Sequence, residues 1–231
     1  MPISKDTKRE WQGNLYDGLC TQGFMKLIMV QNLQISAKDL GFPEESVLAQ
    51  LMRRCGPWSS QDVKVLMNKA GECLETALKA SAIEGGHHVQ LKLMQWPIAM
   101  GLAGTELAKD FVSRGIKEAK VRITPQLHSV NVKKSKEKLA HEESIVKALI
   151  DGIEYATKTF DTKISLVFCV VPSEQSDAGQ SVSAANIRTL LLVRKFANHG
   201  VAVDFGNCSA AEQETLTRVA TEMNIPFVSE E

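Results

Sequence analysis

Five histidines and five cysteines are the side chains of this 231-residue sequence best suited to hold a metal ion or move a proton. Their spacing supports little of that chemistry. His87 and His88 are adjacent, and adjacent side chains on a strand point to opposite faces, so the two cannot easily share one ion. A turn leading into a strand accounts for them. His128 follows the run Val121-Arg122-Ile123-Thr124, which Pro125 stops. It therefore stands at the C-terminal end of a buried strand, where α/β folds build their sites. His199 precedes Gly200 at a helix end, where an imidazole interacts favourably with the last carbonyls. His141 belongs to a charged, solvated helical turn. The cysteines, at 20, 55, 73, 169 and 208, are odd in number and form no C-x-x-C pair. That spacing gives neither a disulfide framework nor a zinc knuckle, and Cys73 and Cys169 read as small core residues. No G-x-G-x-x-G, P-loop or G-x-S-x-G motif occurs.

The elements that must position these residues are clearest in the second half. From about Glu118, short β-branched runs alternate with amphipathic helices, the pattern of βαβ units in a parallel sheet. It predicts strands at 119–124, 163–171, 200–205 and 225–228. Between them it predicts a helix at 135–159, where Ile145, Leu149 and Ile153 form one apolar stripe, and another at 183–198, stopped by Gly200. A last helix at 209–223 has Ser209 as its cap and Glu212 completing a capping box. The first half reads mainly as helices at 20–33, 44–54, 60–82 and 103–114. Two further strands are expected at 12–16 and at 89–94, the latter from the alternation of Val89, Leu91 and Leu93. One domain, 1–231, is expected, with a helical region to about 117 and β/α units beyond it.

An eight-stranded α/β barrel takes about 250 residues, and only four to six strands are legible. The expected fold class is therefore α/β, an incomplete or divergent (β/α)8 (TIM-type) barrel. Such a sheet has an open edge, which invites association.

Composition narrows the function. With 44% hydrophobic residues the chain can build a substantial core. Lys+Arg and Asp+Glu balance at 27 each, so neither nucleic acid nor an anionic membrane surface is an expected partner. No stretch approaches the roughly 18 apolar residues of a membrane span, and a cytoplasmic protein is expected.

The segment 121–129 ("VR-x-x-PQLHS"), the helix after it, "ISLVFCVV" at 164–171 and "VAVDFGN" at 201–207 resemble the adenosine deaminase family. The likeness runs well from about Val121 to Asn207 and more weakly from Gln12 to Leu51. It implies a (β/α)8 barrel and hydrolytic deamination of a purine nucleoside, adenosine to inosine. The family's zinc ion activates water by lowering its pKa to about 7. Two of its ligands form an H-x-H pair before L-D-G on the first strand. The matching segment here is Gly13-Asn14-Leu15-Tyr16-Asp17-Gly18, with Gly13 and Leu15 at the histidine positions. Neither can bind zinc. The family's H-A-G-E motif has no counterpart after Asn224-Ile225-Pro226-Phe227-Val228, the expected fifth strand. No metal ligand and no catalytic residue is therefore carried over, and weak or absent activity is expected. The substrate-side positions carried over are Asp17 for the ribose, with Gly206 and Asn207 for a backbone contact to the purine ring. His128 is added as a pocket-facing residue. The expected partners are a purine nucleoside and a second copy or a deaminase paralogue at the open sheet edge. The alternative is a non-catalytic interaction or regulatory protein binding through that edge. A third reading is an active deaminase whose ligands lie elsewhere, at His87, His88 or His128.

Overall fold

The computed structural model describes residues 9–31, 36–43, 45–53, 60–83, 88–171 and 183–228. Its centre is a four-stranded sheet of β1 (Arg9–Asn14), β2 (Ile116–Ile123), β3 (Lys163–Cys169) and β4 (Ala202–Asp204), in that order and parallel throughout. A run of helices connects β1 to β2: α1 (Leu15–Gly18), α2 (Thr21–Gln31), α3 (Val47–Arg53), α4 (Ser60–Ile83), α5 (His88–Leu93) and α6 (Pro97–Ser113). Single crossovers follow, α7 (Ser135–Thr157) between β2 and β3 and α8 (Ala184–Phe196) between β3 and β4, with α9 (Ala210–Glu222) after β4. This is the expected α/β arrangement of parallel strands alternating with helices.

The sheet has one apolar and one polar face. On β2, Ala119, Val121 and Ile123 are buried, while Lys120 is exposed and Arg122 half-buried. The parallel register carries this division across the sheet. Trp11, Leu166 and Phe168 lie on the helix side, where the indole of Trp11 packs on Phe111 of α6 at 4.8 Å. The opposite face carries the rows Glu10-Glu118-Lys163 and Gln12-Lys120-Ser165, then Asn14-Arg122-Val167-Ala202.

Several expectations are corrected. Residues 89–93 are helical: Val89, Gln90 and Leu93, with Met94 just beyond the helix, are the buried positions, spaced as one face of a helix. The first strand ends at Asn14 instead of running from 12 to 16. Helix α6 begins at Pro97, six residues before the expected start at 103, because proline suits the first helical turn. Of the expected strand at 225–228, the structure forms a single bridge, Val203 to Phe227. Three start and stop signals hold: Ser183 and Ser209 accept the amides of Asn186 and Glu212, and Gly200 ends its helix at φ 70°. Cys55 and His87 lie outside the described residues. No helix among the described residues is long and apolar enough to cross a membrane.

Helices α6 and α7 touch backbone to backbone. A Cβ on Gly152 would fall 2.1 Å from the carbonyl oxygen of Gly101, and one on Gly104 would fall 2.6 Å from that of Leu149. Thr105 adds a hydroxyl bond to the Gly152 carbonyl at 3.3 Å. At Gly101 an added Cβ would meet its nearest neighbour at 3.4 Å, an ordinary contact. Gly152→Ala is therefore expected to destabilise the fold by about 3 kcal/mol, at the upper end of overpacking costs. Gly101→Ala is expected to cost less than half as much, both read from urea unfolding midpoints.

Candidate functional site

In a parallel sheet all C-terminal strand ends lie along one edge, and here a polar network gathers there. Arg122 Nε, on β2, donates to Asp204 Oδ2 of β4 at 3.0 Å, reaching across β3. The side chains are 30% and 16% exposed, so the pair is only partly screened by solvent. With its amide oxygen facing the guanidinium, Gln12 of β1 accepts from both terminal nitrogens of Arg122, at 2.6 and 2.7 Å. Asp204 Oδ1 accepts the backbone N–H of Gly206 at 2.8 Å. Cys169 is the register partner of Asp204. Burial pushes its thiol up to about 11; the Asp204 carboxylate adds to this and Arg122 opposes it.

The carried-over positions are placed as follows. Asp17 is exposed on α1, and Gly206 and Asn207 are exposed just beyond β4. The Gly206 amide expected to meet a purine ring is occupied by Asp204. His128 does not face a pocket. It lies in the 3-10 turn Pro125–Ser129 and is 1% exposed. Its Nδ1 donates to the Met94 carbonyl at 2.9 Å, so its Nε2 accepts from the Tyr16 hydroxyl at 3.2 Å. Both ring nitrogens are satisfied, and the ring ties the exit of β1 to the end of α5. Burial holds its pKa down to about 4, with the Met94 bond opposing and His141 adding to the shift. Burial also raises the Tyr16 phenol well above its usual value. His141 is half-buried, against the expectation of a solvated turn, and its Nε2 bonds the His128 carbonyl at 3.1 Å. His199 pairs with Glu154 of α7 at 2.5 Å instead of with its own helix end.

The first-strand comparison shifts by one residue. Gly13 faces the helix layer, where a Cβ would lie 2.8 Å from the Trp11 indole, and Leu15 is fully buried. The side chains that β1 turns to the polar face are Glu10, Gln12 and Asn14. An H-x-H pair aimed at a strand-end site would thus occupy 12 and 14, where this chain has two amides.

That donor set does not fit zinc. Zinc takes thiolate, imidazole or carboxylate ligands. The Gln12 oxygen is engaged by a guanidinium, and the Cys169 thiol is held protonated. Asp204 is divided between Arg122 and Gly206. Among the described residues no three His, Cys, Asp or Glu side chains converge as a metal site.

Two further networks hold the loops behind the strand ends. Glu142 of α7 is fully buried and accepts a forked pair of bonds from Arg188 of α8, from Nε at 2.9 Å and Nη2 at 3.0 Å, plus the Ser129 hydroxyl. Asn186, also fully buried, accepts the Val171 amide and donates to the Val171 carbonyl, both at 3.0 Å, and donates to Glu212 at 2.9 Å. Sequence reasoning missed Gln12, Glu142, Asn186 and Arg188. Arg122 and Asp204 carried a signal, a charge inside or ending an apolar strand.

No protein-family model matches the sequence, and no curated protein matches it. Among solved structures, the apo N6-methyl-AMP deaminase from Arabidopsis thaliana superposes with a TM-score of 0.54 at 14% identity, over 95% of this chain and 56% of that chain. The fold is that of the adenosine-deaminase-like proteins. Arabidopsis ADAL complexed with GMP gives 0.53 at 13% identity, and the ADAL–IMP complex 0.54 at 15%, each over 95% of this chain and 56% of that one. The chain thus spans little more than half the length of these neighbours, and its four parallel strands are part of a TIM-type barrel, as expected.

His128 gives the site a pH dependence. Its folded pKa of about 4 lies below the unfolded value of roughly 6.5, so the unfolded chain takes up this proton first as pH falls. The stability supplied by neutral His128 is present above pH 6.5 and is lost as pH falls toward about 4. Urea unfolding across this window is expected to show His128→Gln with a shallower slope than wild type, by about one proton. Parallel slopes would refute the buried neutral ring.

Proposed function

We propose that this chain is a non-deaminating relative of the adenosine deaminases that keeps weak contacts to a purine nucleoside or nucleotide at its strand ends. The observation that carries the reading is the pair Gln12 and Asn14 on the polar face of β1, beside the Arg122 guanidinium. Amides replace the imidazoles that zinc would need, and a fixed positive charge lies within bonding distance of one of them. No hydroxide is generated without the metal, so the nucleophile for deamination is missing. Purine binding is supported by the fold shared with proteins crystallised with GMP and IMP. Asp17 and Asn207, both exposed, are the residues we assign to such a ligand. The Gly206 amide joins them only if Asp204 releases it. His128 has no part in binding.

A second reading, a non-catalytic interaction protein, is favoured by the edge of the sheet. Among the described strands β1 pairs only with β2, so one side of Arg9–Asn14 presents backbone groups to a partner strand, from a second copy or a related chain.

The deciding experiment is the loss of adenosine, AMP and N6-methyl-AMP absorbance with the purified, folded chain, first with added zinc and then with a chelator. No turnover is expected in either condition, together with a small upward shift of the melting temperature with IMP. Chelator-sensitive turnover would overturn the reading. Sedimentation of the same sample tests the second reading, which predicts a concentration-dependent dimer and fails if the chain stays monomeric alone and beside a deaminase paralogue.

A further inference from the structure

We propose that the groove between α2 and α4 binds an aromatic amine, a flat apolar molecule carrying one ammonium group. The groove is a cavity of about 840 Å³, within the roughly 300–1,000 Å³ of ligand pockets. Its walls belong to the helices between β1 and β2, and no residue of the strand-end network lines it. Met25, Met29 and Val30 come from α2, Met67 from α4 and Leu102 from α6. Residues four apart share a helix face, so Met25 and Met29 form one wall and Met67 and Gly71 the other. Met25 is buried, Met29, Met67 and Leu102 are half-buried against the core, and Val30 is 44% exposed. Thioether side chains fill irregular space and make favourable contacts with the edges of aromatic rings. Gly71 lies in the interior of α4, where glycine weakens a helix relative to alanine. Packing does not require it: a Cβ there would meet nothing within 4 Å, in contrast to Gly104 and Gly152. It leaves bare backbone on the groove wall, a platform for a flat ring.

The uncommitted charge selects the head group. Lys26, Glu72 and Glu75 are the charged side chains of the lining. Lys26 is bonded to the buried carboxylate of Glu106, whose other oxygen takes Lys109 at 2.7 Å. Glu75 is paired with Lys79 one turn along α4, also at 2.7 Å. Among the described residues the Glu72 carboxylate has no ion-pair partner, and Lys69, three residues before it, does not line the cavity. Counted with their partners, these groups sum to zero net charge, with a positive excess where α2 meets α6 and a negative excess on α4. An anion would have to compete with Glu106 for Lys26. An ammonium meets the uncommitted Glu72, which directly follows Gly71, so the head sits beside the backbone platform and the ring lies between the methionines.

The test is an NMR titration of the whole chain, labelled at its methionine methyl groups, with tryptamine, methylindole, indolepropionate and methylammonium. Tryptamine is expected to shift the Met25, Met29 and Met67 signals saturably at submillimolar to millimolar concentration. Methylindole should bind about five-fold more weakly, and indolepropionate and methylammonium at least roughly ten-fold more weakly. Glu72→Gln, at an exposed position, is expected to bring tryptamine down to the affinity of methylindole while leaving methylindole unchanged. Gly71→Leu is expected to fill the groove and abolish binding of both, with the melting temperature kept or raised because leucine favours the helix. Equal binding of indolepropionate, undiminished binding in Gly71→Leu, or no methionine shift with any indole would overturn the proposal. So would methionine signals that change with protein concentration alone, which would assign the groove to a second copy. None of these outcomes depends on purine binding.

Discussion

The organisation of the described residues follows from a parallel sheet whose helices pack on one side. Parallel sheets ordinarily have helices on both faces or close into barrels, because each strand has two faces and the βαβ crossover supplies cover for one. Here α6, α7 and α8 pack against the same face of β2 and β3, and the other face is polar. The alternation of buried and polar residues along β2 is the chemical record of that asymmetry. A strand buried on both sides would be apolar throughout. β3 comes closest to this, with both Val167 and Phe168 buried.

Side-chain bonds tie the described strand ends together. Arg122 spans β3 to reach Asp204 and turns its other nitrogens to Gln12, so one guanidinium joins the ends of β1, β2 and β4. Behind it, the Glu142–Arg188 fork fixes α7 to α8, and Asn186 clamps the exit of β3 between α8 and α9. The fork is buried on the carboxylate side, so removing Arg188 would strand a charge at a cost of several kcal/mol. These contacts consume the groups that might otherwise do chemistry. The Gly206 amide, the Asp204 carboxylate and both nitrogens of His128 are all committed within the fold, which is why the described residues of this polar strand-end edge offer no metal ligand set.

Much of the fold was legible because the second half of the chain obeys local rules. The strands at β2 and β3, the stripe Ile145-Leu149-Ile153, the serine caps and the Gly200 stop all follow from periodicity and backbone geometry within a few residues. The first half was harder. Val89, Leu91 and Leu93 alternate as a strand would, yet Gln90 and Met94 are buried and Leu91 is not. The contacts that bury them come from distant parts of the chain, including the Leu78 carbonyl that accepts from Gln90. The expected fifth strand at 225–228 forms one bridge.

The sequence by itself determined the class of fold, the parallel order of the strands and the lack of histidine at the first-strand positions, because these depend on residue type and local period. Tertiary structure decided which face each residue serves. A shift of one position moves a strand side chain to the opposite face, and this is what separates Gly13 and Leu15, turned to the core, from Gln12 and Asn14, turned to the open face. It also decided the fate of His128, which stands at a strand end in the sequence but is closed over by Tyr16 and the end of α5. Those partners lie 112 and 34 residues away, and no local pattern encodes a contact over such a separation.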